Sequence, residues 1–285
     1  MPGYGSSSAR KITEDYSQEA INAGMLALLH HLGREAAIWI GHDWGCGAVW
    51  SFAAVYPQHC IAACGMTVPQ HTIELGLVEL TKFINRSTYP EATHPYGQWD
   101  YQKFYELEFE KAHKFFDADP RSFLRAAYTR GDPGKLGKPA FSSNVVKDGG
   151  WFGGIEKPDP KWRQIPNEMM CIDEEVYEEL ATAMERTGFF GETFHLSFSP
   201  SQVRELMVNF TGADSWYHNH DRNRKYFLEK AAHGGYLHMP ILFIEAKYDT
   251  ICDTVTTRLA EPQRNYCTNL TVSRLSYLNP RDYDD

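Results

Sequence analysis

Nowhere does this 285-residue chain run apolar for longer than a strand, so no segment is a candidate membrane span and no membrane partner is expected. It has no basic cluster, and its net charge of −9 excludes nucleic acid as the main partner. Its six cysteines (Cys46, Cys60, Cys64, Cys171, Cys252, Cys267) contain no Cys-x-x-Cys pair. That spacing argues against a disulfide framework or a zinc site and for reduced, buried thiols in a cytoplasmic protein, with Cys60 and Cys64 as core residues. The opening Met-Pro-Gly-Tyr-Gly-Ser-Ser-Ser lacks the apolar core of a signal peptide. Asn-x-Ser/Thr strings at Asn85, Asn209 and Asn269 therefore carry little weight. There is no internal repeat and no low-complexity tract. The length suffices for one core, or for a core with an insertion.

Behind Ser17, a candidate N-cap, Ile21, Met25, Leu28 and Leu32 recur at helical spacing until Gly33. An apolar strand over 36–41 follows, then a helix over about 45–56 that Pro57 ends, then a second apolar run from Cys60 to Val68. Helix, strand, helix, strand is the rhythm of a parallel α/β sheet. From Pro69 the chain turns aromatic and helical, with segments expected at 73–85, 99–116 and 119–129 and a Gly/Pro-rich excursion from Gly131 to Pro166. Further helices are expected from Asp173, with Glu174 and Glu175 in the first turn, from Ser199-Pro200, and over about 215–232. Strand character returns only after Pro240, at Ile241–Ile244. The expected organisation is α/β: residues 1–68 and 239–285 form two parts of one core, and a mostly helical lid occupies 69–238.

Between the first strand and its helix stands Gly41-His42-Asp43-Trp44-Gly45. Glycines on both sides of Asp43 fit a tight strand-to-helix turn that lifts the central side chain clear, and the amides opening the helix face whatever negative charge develops there. A carboxylate in that place suits displacement at an alkyl carbon to give an ester, rather than acyl transfer.

The string from Ile40 to Trp50 resembles the nucleophile elbow of the soluble epoxide hydrolases, members of the α/β-hydrolase superfamily, and the resemblance runs from about Pro2 to about Thr271. It implies an α/β-hydrolase core with an inserted lid, no cofactor or metal, and a small apolar epoxide as substrate. It implies Asp43 as nucleophile and the Trp44 amide as an oxyanion donor. Tyr101 and Tyr217 become the lid phenols that stabilise the opening ring oxygen, and Asp249 the acid that orients a histidine base. Tyr105, one helical turn beyond Tyr101, is the alternative first phenol. Asp249 could equally be an ordinary cap, although Asp253 is the better cap for a helix expected beyond it. His42 is expected to pack against the sheet, and His218 and His220, two apart, make a poor metal pair. Haloalkane dehalogenases share the Asp-Trp elbow but need N–H donors for halide, so the two phenols favour the epoxide. A non-catalytic binder that keeps the lid pocket is the alternative from another class.

The chain departs from the family pattern at both ends. No histidine follows Asp249; the last is His238, ahead of the final recognisable strand. The pattern fades from about Thr271, and the family's first four strands and its His-Gly-x-Pro loop have no counterpart. An incomplete parallel sheet is therefore expected, with strand 36–41 an exposed apolar edge. The chain is expected to form the Asp43 ester and stall.

Overall fold

The structure, a computed structural model, describes residues 12–187 and 213–275 together with Pro2 and Ser7. In chain order its main elements are α1 (Gln18–His31), β1 (Ala37–His42), α2 (Trp44–Val55), β2 (Cys60–Met66), α3 (Asp100–Ala118), α4 (Pro120–Ala127), α5 (Glu174–Thr187), α6 (His220–Lys230), β3 (Ile241–Ala246), α7 (Glu261–Tyr266) and β4 (Leu270–Leu275). The helix expected from Ser199 lies outside the described residues. Among these residues no helix is long and apolar enough to cross a membrane.

Two compact units emerge. The first comprises Gln18–Asp100, Asp132–Ser143 and His220–Asp285 and holds the sheet. Among the described residues four strands pair in parallel in the order β1-β2-β3-β4, with β1 at an edge, as the sequence led us to expect. Helix α1 starts directly behind Ser17, and Gly33 at φ +65 turns the chain after it. Helix α2 covers one face of β1 and β2: Trp39 meets Phe52 with ring centroids 4.6 Å apart, and a Cβ on Gly65 would lie 2.0 Å from the Trp50 ring. Strand β4 went unrecognised in the sequence. Its Leu-Thr-Val-Ser-Arg-Leu alternates weakly, and it is held by backbone pairing to β3 and by buried Glu245, which takes Arg274 at 2.7 Å and Arg264 at 3.3 Å.

The second unit comprises Met1–Ser17, Tyr101–Gly131 and Asn144–Asn219. It is helical around an aromatic core that includes Phe104, Phe116, Leu124, Trp151, Tyr177 and Met184. Asp119 caps α4 through the Ser122 amide at 3.1 Å, and Asp173 opens α5 through the Val176 amide at 2.8 Å. Arg121 bonds Glu178 at 2.7 Å and Glu185 at 2.8 Å, fastening α4 to α5.

These units do not follow the expected lid boundaries of 69 and 238: residues 69–100, 132–143 and 220–238 group with the sheet. Bonds between side chain and backbone tie them there: the Gln70 amide donates to Gln263 Oε1, and Asn85 Nδ2 donates to the Thr256 carbonyl at 3.1 Å. The continuous helix expected over 73–85 is instead three short turns, because Gly76 sits at φ +76.

Candidate active site

Asp43 is the joint between β1 and α2, at φ +52 and ψ −124, a conformation that a side-chain-bearing residue adopts only under constraint. The constraint is visible on both sides. Its N–H reaches the Met66 carbonyl at 3.3 Å, and its carbonyl receives the Cys46 amide at 2.9 Å. The side chain is exposed, and the Trp44 amide donates to its Oδ2 at 2.6 Å. One carboxylate oxygen is thereby held at the helix N-terminus.

The two flanking glycines are unequal. A Cβ on Gly41 would lie 2.3 Å from the Gly45 carbonyl oxygen, whereas one on Gly45 would meet nothing within 4 Å. Only Gly41 is demanded by the close approach of strand and helix. Beneath the turn, the Cys46 thiol lies 3.2 Å from the Gly41 carbonyl and 3.0 Å from that of Met66. Burial pushes this thiol up to about 12, so it is an inert brace rather than a nucleophile. Behind it Glu74 is fully buried and takes the His71 and Thr72 amides, each at 3.0 Å. Burial raises its carboxyl to about 7.

Asp249 follows β3 in the same unit. Its Oδ1 accepts the amides of Ile251 and Cys252, both at 2.8 Å. Burial first, and then the charges of Asp43 and Asp253, raise its carboxyl above the ordinary range. Asp253 makes the same kind of turn through the Val255 and Thr256 amides at 2.8 Å, but no helix begins there; α7 starts at Glu261. Both aspartates are thus turn-forming residues in a loop.

The other two expected residues stand in the helical unit. Tyr101 is in the first turn of α3, and its hydroxyl accepts from Gln102 Nε2 at 3.2 Å. Tyr217 sits in the 3-10 turn Ala213–Asn219, which Asn219 fastens by donating to the Thr13 carbonyl at 2.8 Å and the Ser215 carbonyl at 3.0 Å. The fold brings the two tyrosines together: their rings meet edge to face, 5.7 Å apart. Tyr105, the alternative, lies 4.6 Å from Tyr217 but is buried among Phe116 and Trp151, whereas Tyr101 is partly exposed.

Four of the described histidines can be placed. His42 does not pack against the sheet as expected; it is the exposed last residue of β1, on the face away from α2. His218 lies on Phe109 at 4.2 Å, and burial lowers its imidazole below the ordinary value. His220 is buried 5.9 Å from Trp44, and His238 contacts Thr268 at 3.1 Å ahead of β3. One residue escaped the sequence reading: Thr67 follows β2 at φ +75, a rare conformation for a β-branched side chain, with no local pattern to announce it.

A family model for the α/β hydrolase fold matches residues 1–135. Epoxide hydrolase A of Mycobacterium tuberculosis is 25% identical over 270 residues, which cover 91% of this chain and 68% of that protein. Bifunctional epoxide hydrolase 2 of Rattus norvegicus is 27% identical over 253 residues, covering 88% of this chain and only 37% of that protein. Among solved structures, epoxide hydrolase A of Mycobacterium thermoresistibile aligns with a TM-score of 0.61 at 22% identity, over 96% of this chain and 72% of that one. An epoxide hydrolase from an endophytic Streptomyces aligns with a TM-score of 0.62 at 18% identity, over 96% and 71%.

Proposed function

We propose that this chain is an α/β hydrolase of the epoxide hydrolase kind and that it opens a small apolar epoxide through an ester to Asp43. The observation that carries the proposal is the Asp43 carboxylate, with Oδ2 fixed by the Trp44 amide at 2.6 Å. Oδ1 attacks a ring carbon, the C–O bond breaks, and the ring oxygen leaves with the bonding pair. Alkoxide is a poor leaving group, so it needs acidic donors; Tyr101 and Tyr217 are assigned that role, and a phenol passes its proton to the oxygen. The partly exposed position of Tyr101, against the buried Tyr105, supports this pair. On this reading the aromatic helical unit is the lid, and its aromatic content is the basis for an apolar substrate.

Water must then add to the Asp43 Cγ to release the diol, and this step needs a base. Asp249 is the assigned orienting acid, yet among the described residues no hydrogen bond joins a histidine to it or to Asp43. The proposal is that the ester accumulates. Five of the six thiols are buried and all six are free, which supports a cytoplasmic setting.

Intact-mass spectrometry after mixing with an aryl epoxide tests the proposal. The expected product is one covalent adduct of the epoxide's full mass, located at Asp43 by peptide mapping and absent from Asp43→Asn. No adduct and no diol would overturn the assignment of Asp43; steady diol release would overturn the stall.

A further inference from the structure

The elbow holds Asp43 in a torsion that needs support, and the supporting bonds converge on one backbone oxygen. The Met66 carbonyl, at the end of β2, accepts the Asp43 N–H at 3.3 Å and the Cys46 thiol at 3.0 Å. The first of these bonds is long, so the carbonyl gains from a second restraint. Cys46, the third residue of α2, supplies it from a fully buried position. Its own amide donates to the Asp43 carbonyl at 2.9 Å, so one residue grips the elbow from both sides. Its thiol also lies 3.2 Å from the Gly41 carbonyl. The chain after Met66 is fixed as well. The Thr67 N–H reaches the Ile244 carbonyl at 3.0 Å, and the Val68 carbonyl accepts from Trp50 Nε1 at 2.9 Å. Asp43 at φ +52 and Thr67 at φ +75 thus stand on either side of the Met66 carbonyl. Strain of this kind persists where the surroundings over-determine it, and it gathers at functional sites.

We propose that Cys46 is a positioning residue for ester formation: its thiol, by donating to the Met66 carbonyl, fixes the elbow torsion that aims the Asp43 carboxylate. This role rests on the reading of Asp43 as nucleophile. Burial pushes the thiol up to about 12, so it keeps its proton to donate throughout the neutral range. Room is short as well. A Cβ on Gly41 would lie 2.8 Å from the Cys46 amide nitrogen, so the side chain at position 46 has to be compact. A thiol is both compact and a donor. Serine shares both properties, and alanine keeps only the first.

Cys46→Ala, Cys46→Ser and Cys60→Ala separate aim from packing. Cys60, at the opposite end of β2, is also buried, and its thiol donates to the Tyr56 carbonyl at 3.6 Å. Its alanine variant therefore removes the same atoms away from the elbow. Ester formation is followed by intact mass with an aryl epoxide, without denaturant, on variants that circular dichroism shows to be folded. Cys46→Ala should slow the maximal rate about tenfold and leave the half-saturating epoxide concentration unchanged. Cys46→Ser should return to within about threefold of wild type, and Cys60→Ala should match wild type despite a lower urea midpoint. A second readout needs no epoxide: amide exchange at Asp43 should rise at least about fivefold in Cys46→Ala and recover in Cys46→Ser. Should Cys46→Ala not fold, the infrared difference between wild type and Cys46→Ser isolates the Cys46 S–H stretch. Donation at 3.0 Å places it below that of Cys60, whose acceptor is 3.6 Å away. Equal slowing in Cys46→Ala and Cys60→Ala, a Cys46→Ser no faster than Cys46→Ala, unchanged exchange at Asp43, or an S–H stretch no lower than that of Cys60 would each overturn the proposal. A wild type that forms no ester overturns the reading of Asp43 alone, and the exchange rates still decide whether the thiol holds the elbow.

Discussion

Replacing Gly41 and Gly45 by alanine, one at a time, separates two glycines that the elbow motif treats as equals. At Gly41 the new Cβ would lie 2.3 Å from the Gly45 oxygen, 2.5 Å from its carbonyl carbon and 2.8 Å from the Cys46 amide. All three are backbone atoms in the first turn of α2, so no side chain can swing aside. Either β1 or α2 must move, and overpacking of this kind costs about 1–3 kcal/mol or more. The same movement displaces Asp43 Oδ1. A shift of about 1 Å at a reacting atom costs roughly 100-fold in rate. At Gly45 the Cβ meets nothing within 4 Å, and the position is helical. Alanine there should gain about 0.5–1 kcal/mol from helix propensity. Urea melts give the stabilities, and the rate of ester formation with an aryl epoxide gives the chemistry. Gly41→Ala should fall in both. Gly45→Ala should rise in stability and keep its rate within about threefold. Equal damage at both sites, or a harmless Gly41→Ala, would refute the steric account of the elbow.

Three further outcomes follow from the same geometry. Tyr101→Phe and Tyr217→Phe should each slow ester formation by about 10²-fold with little change in the urea midpoint, whereas Tyr105→Phe should change the rate less than about twofold; equal losses at Tyr101 and Tyr105 would remove the distinction between them. Glu74 keeps its proton when folded up to about pH 7, against its ordinary 4.5, so between those values the folded state binds more protons than the unfolded state. Stability from this group is then greatest below about pH 4.5 and falls by about 3 kcal/mol as pH rises to 7; urea melts across that range should show Glu74→Gln with a smaller decline than wild type. Asp249→Asn retains an oxygen for the Ile251 and Cys252 amides and should match wild type in stability and ester formation, while Asp249→Ala frees both amides and should lose about 2 kcal/mol by chemical melt.

Helices α1 and α2 and strands β1 to β3 were legible because each is an apolar run of the right period with a visible stop, such as Gly33 after α1. Strand β4 was not, since five of its six residues are exposed and its apolar alternation is correspondingly faint. The continuous helix expected at 73–85 failed on one torsion, the positive φ of Gly76, which hydrophobic spacing does not record. The contact units differ from the expected segment boundaries for a similar reason. Bonds such as Gln70 to Gln263 and Asn85 to Thr256 join residues 193 and 171 positions apart and leave no periodic trace. Among candidate site residues, the motif located Asp43 but could not rank its glycines. It placed Asp253 at a helix start where the chain makes only a turn.

The elbow and the acid loop use their carboxylates in opposite ways. At Asp43 the Trp44 amide bonds the oxygen that would become the ester carbonyl. A donor in that place stabilises the carboxylate before attack, and it meets the oxyanion that water addition would create. One hydrogen bond can therefore serve both steps, and the strained φ of +52 is what aims it. At Asp249 the backbone takes Oδ1 for two amides, so only Oδ2 is left to orient a base. On the proposed pathway the difficulty thus lies in moving the proton off water, and the nucleophile is complete without it.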